Sequence, residues 1–424
     1  MTLRPIRYVR PRGPLWTFLL LGLAGLAAIS IQWSCNDQAG PESAGPPKAR
    51  EGVPLVRVLI TPQPLGQLTL ASSGACWLEV DGASIARSKG PMQQMTVSRK
   101  GGKWQLGPIA AGGRLPRFIP GPATHFTVGE ITYRGEIILL PTGPNNFQVI
   151  NRLDMESYLA GVLPRELFPS WPLETHRALA VAARTFAMYH CLTFGRSNEY
   201  DLGSNQSAQV YGGLAAETPT GWQALHSTRG RILTWGPAGD ERIFMAQYSS
   251  CCGGHVNGAG VIRNAQDIQP LRGGQACNYC SSASRYRWPA VRFAKDDIYD
   301  AIAARYPAAA KLSGVAEIRV VEKTDYGRVV WVDVIDAQGE SIRLRAEDIR
   351  LSMLRSGLPN ARSLYSMNCR WRNAGDSIEF YDGRGYGHGV GLCQWGAFGM
   401  AGAGFSGEQI LQFYYPGAKL HKAY

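Results

Sequence analysis

The stretch Gly383–Gly396, GRGYGHGVGLCQWG, constrains this chain more than any other part of it. Glycine stands at every second position from Gly383 to Gly391, with Arg384, Tyr386, His388 and Val390 between. Each glycine would cost a helix about 1 kcal/mol relative to alanine, so a helix is excluded here. Side chains alternate across a strand, and a strand would carry Arg384, Tyr386 and His388 on one face and bare backbone on the other. The bare face invites close approach by a ligand or a helix. The 50 glycines and 26 prolines among 424 residues extend the signal to the whole chain, which should fold through turns and short strands rather than as a helical bundle. At this length, with 45% apolar and 18% charged residues, one large or two medium domains can bury a real core.

The N-terminus is equally legible. Arg4, Arg7, Arg10 and Arg12 precede the uncharged run PLWTFLLLGLAGLAAISIQWSC, whose apolar core from Leu15 to Ile31 is just long enough to span a hydrocarbon layer of about 30 Å. Residues 1–14 are expected to be a cytoplasmic basic segment and residues 15–35 an anchor, with the remaining chain outside the membrane. A cleaved signal peptide is the competing reading, but no small-x-small site follows the run. A lipoprotein site at Cys35 meets Gln32 and Trp33 where aliphatic and small residues belong. In every case the body is extracytoplasmic. Residues 36–52, NDQAGPESAGPPKAREG, read as a flexible tether. The net charge is +12, and since residues 1–35 hold four arginines and no acid, the exported part keeps 12 − 4 = +8. Such a body is drawn to anionic wall polymers or lipid headgroups. It lacks the basic clusters interleaved with aromatics that nucleic-acid binding needs.

Residues 53–150 give strand signals separated by Gly/Pro turns, with His125 a half-buried strand residue. At Asn151 the texture changes. Met155, Tyr158, Leu159 and Val162 recur at helical spacing and Pro164 is expected to end that helix. A second helix from Leu173 to Cys191 carries Ala178, Ala180, Ala182, Ala183 and Ala187 and reads as the central packing helix. Residues 285–350 return to a helix and a strand meander, and a last helix ends at Pro416. The predicted class is α+β, with a β-rich N-terminal part (53–150) and a helical and mixed-sheet core (151–424) that forms a groove, together one domain over 53–424.

Four ordered segments carry a family resemblance: NRLDMESYLAGVLPRELFPSWPLETHRALAVAARTFAMYH, YDLGSNQSAQVYGG, YSSCCGGH and GRGYGHGVGLCQWGAFGMAGAGFSGEQILQFYYPG. In this order, over most of residues 55–420, the chain resembles the stage II sporulation protein D and LytB (amidase enhancer) family. The resemblance implies a lytic transglycosylase that cuts peptidoglycan glycan strands without water. One branch of the family implies instead an enhancer of a cell-wall amidase. Glu166 lies where the resemblance puts the catalytic acid. On its own terms Glu166 sits between Pro164 and Pro169, flanked by Leu163, Leu167, Phe168 and Trp171, and carboxyls in apolar surroundings keep their protons to higher pH. The competing reading is a solvated turn glutamate paired with Arg165. Lytic cleavage needs an acid for the bridging oxygen and then a base for the 6-hydroxyl, and one carboxyl can do both in turn, so the second carboxylate of ordinary glycosidases is not required. Glu174 is therefore dispensable to the chemistry, and Asp154 and Glu156 are expected to cap a helix.

Arg184, on a helix otherwise stripped of charge, is expected to orient Glu166 or hold a sugar group, or else to form a buried ion pair. Gln209 and Tyr211 offer an amide and a phenol for sugar contacts, Tyr211 equally for core packing. Arg384, Tyr386, His388 and Gln394 would line the glycan groove beside Trp395, the glycine face letting the polymer approach.

Nine cysteines leave at least one unpaired. Cys252 and His255 form C-x2-H, and Cys277 and Cys280 form C-x2-C, which suits a closed structural zinc site; Cys251 could replace Cys252. Disulfides such as Cys252 to Cys277 are the rival in an oxidising compartment. Zinc-containing members of the family add to the zinc reading. Cys393 with His388 would make a thiol nucleophile, but the family usually carries serine there. Gly402–Gly407, GAGFSG, matches G-x-G-x-x-G without a preceding βαβ strand, so no organic cofactor is expected.

Overall fold

The computed structural model describes residues 33–34 and 52–424 apart from positions 196, 206, 207 and 264. The basic segment 1–14, most of the anchor 15–35 and nearly all of the tether lie outside the described residues. Among the described residues no helix is long and apolar enough to cross a membrane. Residues 33–424 form one unit, and its α+β class and β-rich N-terminal part are as the sequence predicts.

Alternating burial builds the first half. In the strand Phe147–Asp154, Phe147, Val149, Asn151 and Leu153 turn inward, as period-2 patterning requires. That strand pairs antiparallel with Glu136–Pro141 and with Leu55–Leu59 inside an eight-stranded sheet, and a six-stranded sheet runs through Gln67–Ser72 and Met92–Lys100. Rings from the two sheets meet edge to face between them: Trp104 on Phe147 at 5.2 Å and Phe118 on Phe126 at 6.2 Å. Burying each such ring contributes roughly 2–3 kcal/mol.

Helix α1 (Met155–Glu166) starts directly from this sheet, capped by Asp154, whose carboxylate accepts from the Ser157 N–H at 3.0 Å. Pro164 does not end it. The proline falls in the last turn, where its missing N–H costs one bond, and the Leu167 N–H still reaches the Leu163 carbonyl at 2.9 Å. Glu166 is thus the final residue of a helix rather than part of a kinked loop. Helix α2 (Leu173–Thr193) runs two residues past the predicted end and buries all five of its alanines. Helix α3 (Pro219–Ser227) packs on both.

The chain then makes an excursion. Residues between Trp288 and Phe380 close a second hydrophobic core of their own, built from the strand meander Glu317–Lys323, Val329–Ile335 and Ser341–Arg345 with helices α4 (Lys295–Ala303) and α5 (Ala346–Arg355). The excursion leaves through Arg287–Trp288 and returns through Gly383–Arg384, which pair antiparallel. Helices α6 (Gln394–Gly402) and α7 (Gly407–Tyr414) then pack back onto α2, where small residues permit close approach.

Candidate functional site

The glycine ribbon is not a strand. Only Gly383–Arg384 and Leu392–Cys393 pair as strands, and Gly385, Gly387, Gly389 and Gly391 take φ of 77°, 91°, 71° and 70°, the left-handed region that glycine enters without penalty. Nor is the bare side open to a ligand. A Cβ at Gly385 would lie 2.6 Å from the Cys251 carbonyl, at Gly389 2.1 Å from Asn257 Nδ2, and at Gly391 2.0 Å from the Gln247 carbonyl. The glycines let the ribbon lie against residues 247–257, tied by paired bonds between Cys251 and Tyr386 at 3.0 and 2.8 Å.

Two distant segments converge on Glu166. Gln394, the first residue of α6, donates from Nε2 to Glu166 Oε2 at 2.9 Å, and the Val210 backbone N–H, from the AQVYGG segment, also bonds this carboxylate. Both donors favour the charged form, yet burial outweighs them and raises the Glu166 pKa above its ordinary value. No second carboxylate contributes to that shift. Beside it stands an aromatic ledge: Trp171 meets Trp395 at 4.9 Å and Phe168 at 5.4 Å, and Phe168 is 58% exposed two positions after Glu166.

Three residues expected at the groove are structural instead. Arg184 is fully buried and faces Glu156, not Glu166, with Nε and Nη2 at 3.0 and 2.7 Å from the two carboxylate oxygens. Glu156 is accordingly an ion-pair partner and not a helix cap. Gln209 spends its amide on Tyr158, Tyr248 and the Ala183 carbonyl at 3.0, 2.9 and 3.2 Å, and the Tyr211 hydroxyl donates to Asn151 Oδ1 at 3.0 Å. Gln209 still bears on the site indirectly, because it holds the half-buried Tyr248, whose phenol is pushed up first by desolvation and then by the Glu166 carboxylate. Tyr248 was not singled out from the sequence; its signal was membership of the YSSCCGGH segment.

Arg384, Tyr386 and His388 do not share one face. His388 lines a cavity of about 690 Å³ with Phe186, His190, Tyr248 and, from α5, Glu347 and Arg350. Its Nδ1 accepts from the Val390 N–H at 3.0 Å, and burial pushes the imidazole down to about 4, so it is neutral near pH 7. Tyr386 is 39% exposed and packs at 5.2 Å on Tyr365. Arg384 lines a different cavity.

The residues expected around a metal come together in the structure with one exception. The sulfurs of Cys252, Cys277, Cys280 and Cys393 all lie within 4.8 Å of one another, and all four residues are buried. His255 is outside the group, its ring stacked on Tyr326 at 4.9 Å, while Cys251 is buried with its thiol toward the Cys280 carbonyl. No disulfide joins any of the cysteines described. Cys252 Sγ and Cys280 Sγ are 3.7 Å apart, and four thiolates at 2.3 Å from a tetrahedral zinc sit about 3.8 Å apart. Backbone N–H groups of Cys252 and Gly396 point at Cys393 Sγ at 3.2 and 3.3 Å. Cys393, weighed as a nucleophile in the sequence and set aside, caps α6, and its sulfur lies in the cluster.

Comparison with known proteins agrees with these segments. A family model described as stage II sporulation protein matches residues 144–235, and one described as a domain of unknown function (DUF8618) matches residues 265–391, the span of the excursion and ribbon. An uncharacterised protein of Brachyspira hyodysenteriae is 31% identical over 70% of this chain and 74% of its own length. Stage II sporulation protein D of Bacillus subtilis is 25% identical over 70% of this chain and 82% of its own. The amidase enhancer of Bacillus subtilis is 25% identical over 62% of this chain and 40% of its own. With α1, the AQVYGG segment and α6 meeting at one carboxyl and these relatives aligned across the same body, the chain belongs to the stage II sporulation protein D and LytB (amidase enhancer) family.

Proposed function

We propose that this chain is a peptidoglycan lytic transglycosylase acting outside the cytoplasmic membrane, with Glu166 as acid and then base. The observation that carries the reading is a single carboxyl, raised in pKa by burial, hydrogen-bonded from Gln394 and Val210 and flanked by an exposed aromatic ring. Protonated Glu166 gives its hydrogen to the oxygen bridging the muramic acid and glucosamine units, and the bond from the muramic C1 breaks. The resulting carboxylate then takes the proton of the muramic 6-hydroxyl as that oxygen closes on C1, leaving a 1,6-anhydro end and restoring the acid. No water is consumed, which accords with a Glu166 shift to which no second carboxylate among the described residues contributes. Exposed Phe168, backed by buried Trp171 and edge-on to Trp395, suits a sugar ring, and the cavity at His388 and Tyr248 would extend the groove toward α5.

Incubating glycan strands with the full chain and weighing the fragments tests this. Wild type should give anhydro ends, and Glu166→Gln should lose roughly 10²–10⁴ in rate; equal product from both removes the assignment. A second reading, activation of an amidase, is favoured by the relative named amidase enhancer. There Glu166→Gln would leave the enhancement intact. We further infer that Cys252, Cys277, Cys280 and Cys393 hold a structural zinc, which would tie the chain before the excursion to the ribbon after it.

A further inference from the structure

On the excursion side of the ribbon lies a cavity of about 800 Å³ whose wall includes Arg287, Arg370 and Arg384. It continues, through the shared residues Arg370 and Tyr381, into a second of about 530 Å³ that adds Arg319, Lys323 and Arg372. Against these six cations the linings hold two acids, Asp382 and Glu317. Glu166 belongs to neither.

Two observations mark this as more than a basic surface. Arg287 and Arg384 are direct cross-strand partners in the antiparallel pair that closes the excursion, and like charges directly opposite destabilise a ladder. Of the three arginines in the first cavity only Arg370 has an acid within ion-pair distance among the described residues, Asp382 at 3.7 Å. The second observation is Trp288, which is 5% exposed in the wall of the same cavity and whose indole N–H has no acceptor among the described residues. A buried donor without a partner is costly. An anionic oxygen in this cavity would offset the arginine repulsion. The stacked rings of His255 and Tyr326, with Tyr381 further along, offer flat faces.

We propose that this groove is an accessory binding site for an anionic polysaccharide, separate from the cleft at Glu166. Charge is read by Arg287, Arg384 and Arg370, and sugar faces by the aromatic rings. The site stands or falls independently of the transglycosylase reading.

Binding is measured on the full chain in a Glu166→Gln background, so that any cutting of glycan is slow on the time of the measurement. The probes are polyglucuronate, a phosphomannan and a neutral chitin oligosaccharide of matching length. Affinity for at least one anionic glycan should exceed that for the neutral one by 10-fold or more and fall with salt, and which of the two wins tells carboxylate from phosphate. Arg287→Glu sets opposite charges across the ladder, so its melting temperature should hold or rise while anionic-glycan binding drops at least 10-fold. Should that variant misfold, Arg370→Gln with Lys323→Gln is read in its place. Unchanged binding in folded variants overturns the proposal, as does equal affinity for the neutral glycan or a preference for single-stranded nucleic acid of equal charge.

Discussion

Glu156→Ala gives the sharpest test of how the core is held. The Glu156 carboxylate receives Arg184 Nε and Nη2 at 3.0 and 2.7 Å, the Tyr424 hydroxyl at 2.6 Å and the Gly230 N–H at 3.3 Å. The Arg184 side chain is 0% exposed and that of Glu156 8%, so removing the acid strands a guanidinium that water cannot reach. Breaking a buried pair from one side costs about 3–5 kcal/mol, a large part of the 5–15 kcal/mol typical of a native domain. Replacing both partners by apolar residues of similar size removes the uncompensated charge along with the pair. Urea unfolding of wild type, Glu156→Ala, Glu156→Leu, Arg184→Met and Glu156→Leu/Arg184→Met should show all three singles losing about 3 kcal/mol or more and the double lying closer to wild type than any of them, a Leu/Met coupling of roughly 2 kcal/mol or more. Glycan cleavage by the double variant should survive. Additive losses, singles costing under about 1 kcal/mol, or a double variant that is stable but inactive would refute a purely structural role for Arg184.

Three further outcomes follow from the same geometry. Gln394→Leu removes a donor that favours ionised Glu166, so the fall in cleavage rate with rising pH should move to higher pH, and a pH–rate profile reads the shift. His388 has its pKa lowered to about 4 by burial; the unfolded chain then binds the extra proton between about 6.5 and 4, stability should drop by about 1–3 kcal/mol over that fall in pH, and His388→Gln should flatten the loss in denaturant titrations. Native mass measurement should find one zinc removable by chelator, lost in Cys393→Ser and kept in His255→Ala, and zinc retained by the serine variant would overturn the four-thiol assignment.

Much of the fold could be read from local pattern. The strands of residues 55–154, α2 with its alanines, and α7 with its Ser406–Gln409 capping box declare themselves through spacing that any buried face imposes. What failed was inference from residue type to partner. Arg184 looked like a cleft residue because no acid stands within a turn of it on its own helix, yet its partner lies on the preceding helix, a contact fixed by packing. Pro164 looked like a stop, but a proline in the final turn forfeits only one bond. The ribbon had strand periodicity, and only the backbone angles of Gly385 to Gly391 show that the alternation serves turning rather than pleating. His255 and Cys393 exchanged places for a similar reason: sequence neighbours of Cys252 compete with a residue brought in by the return of the chain. Glu166 was singled out through the family resemblance, since its apolar and aromatic neighbours alone also suit a solvated turn glutamate; that its carboxyl is held up in pKa by burial is visible only in the folded chain.

The paired strands Arg287–Trp288 and Gly383–Arg384 set the exit and re-entry of the excursion side by side. A segment attached at two adjacent points is indifferent to its own length, since lengthening it changes neither anchor. Relatives could therefore shorten, enlarge or exchange this appendage while keeping the carboxyl and its ledge intact, and sequence variation would accumulate there.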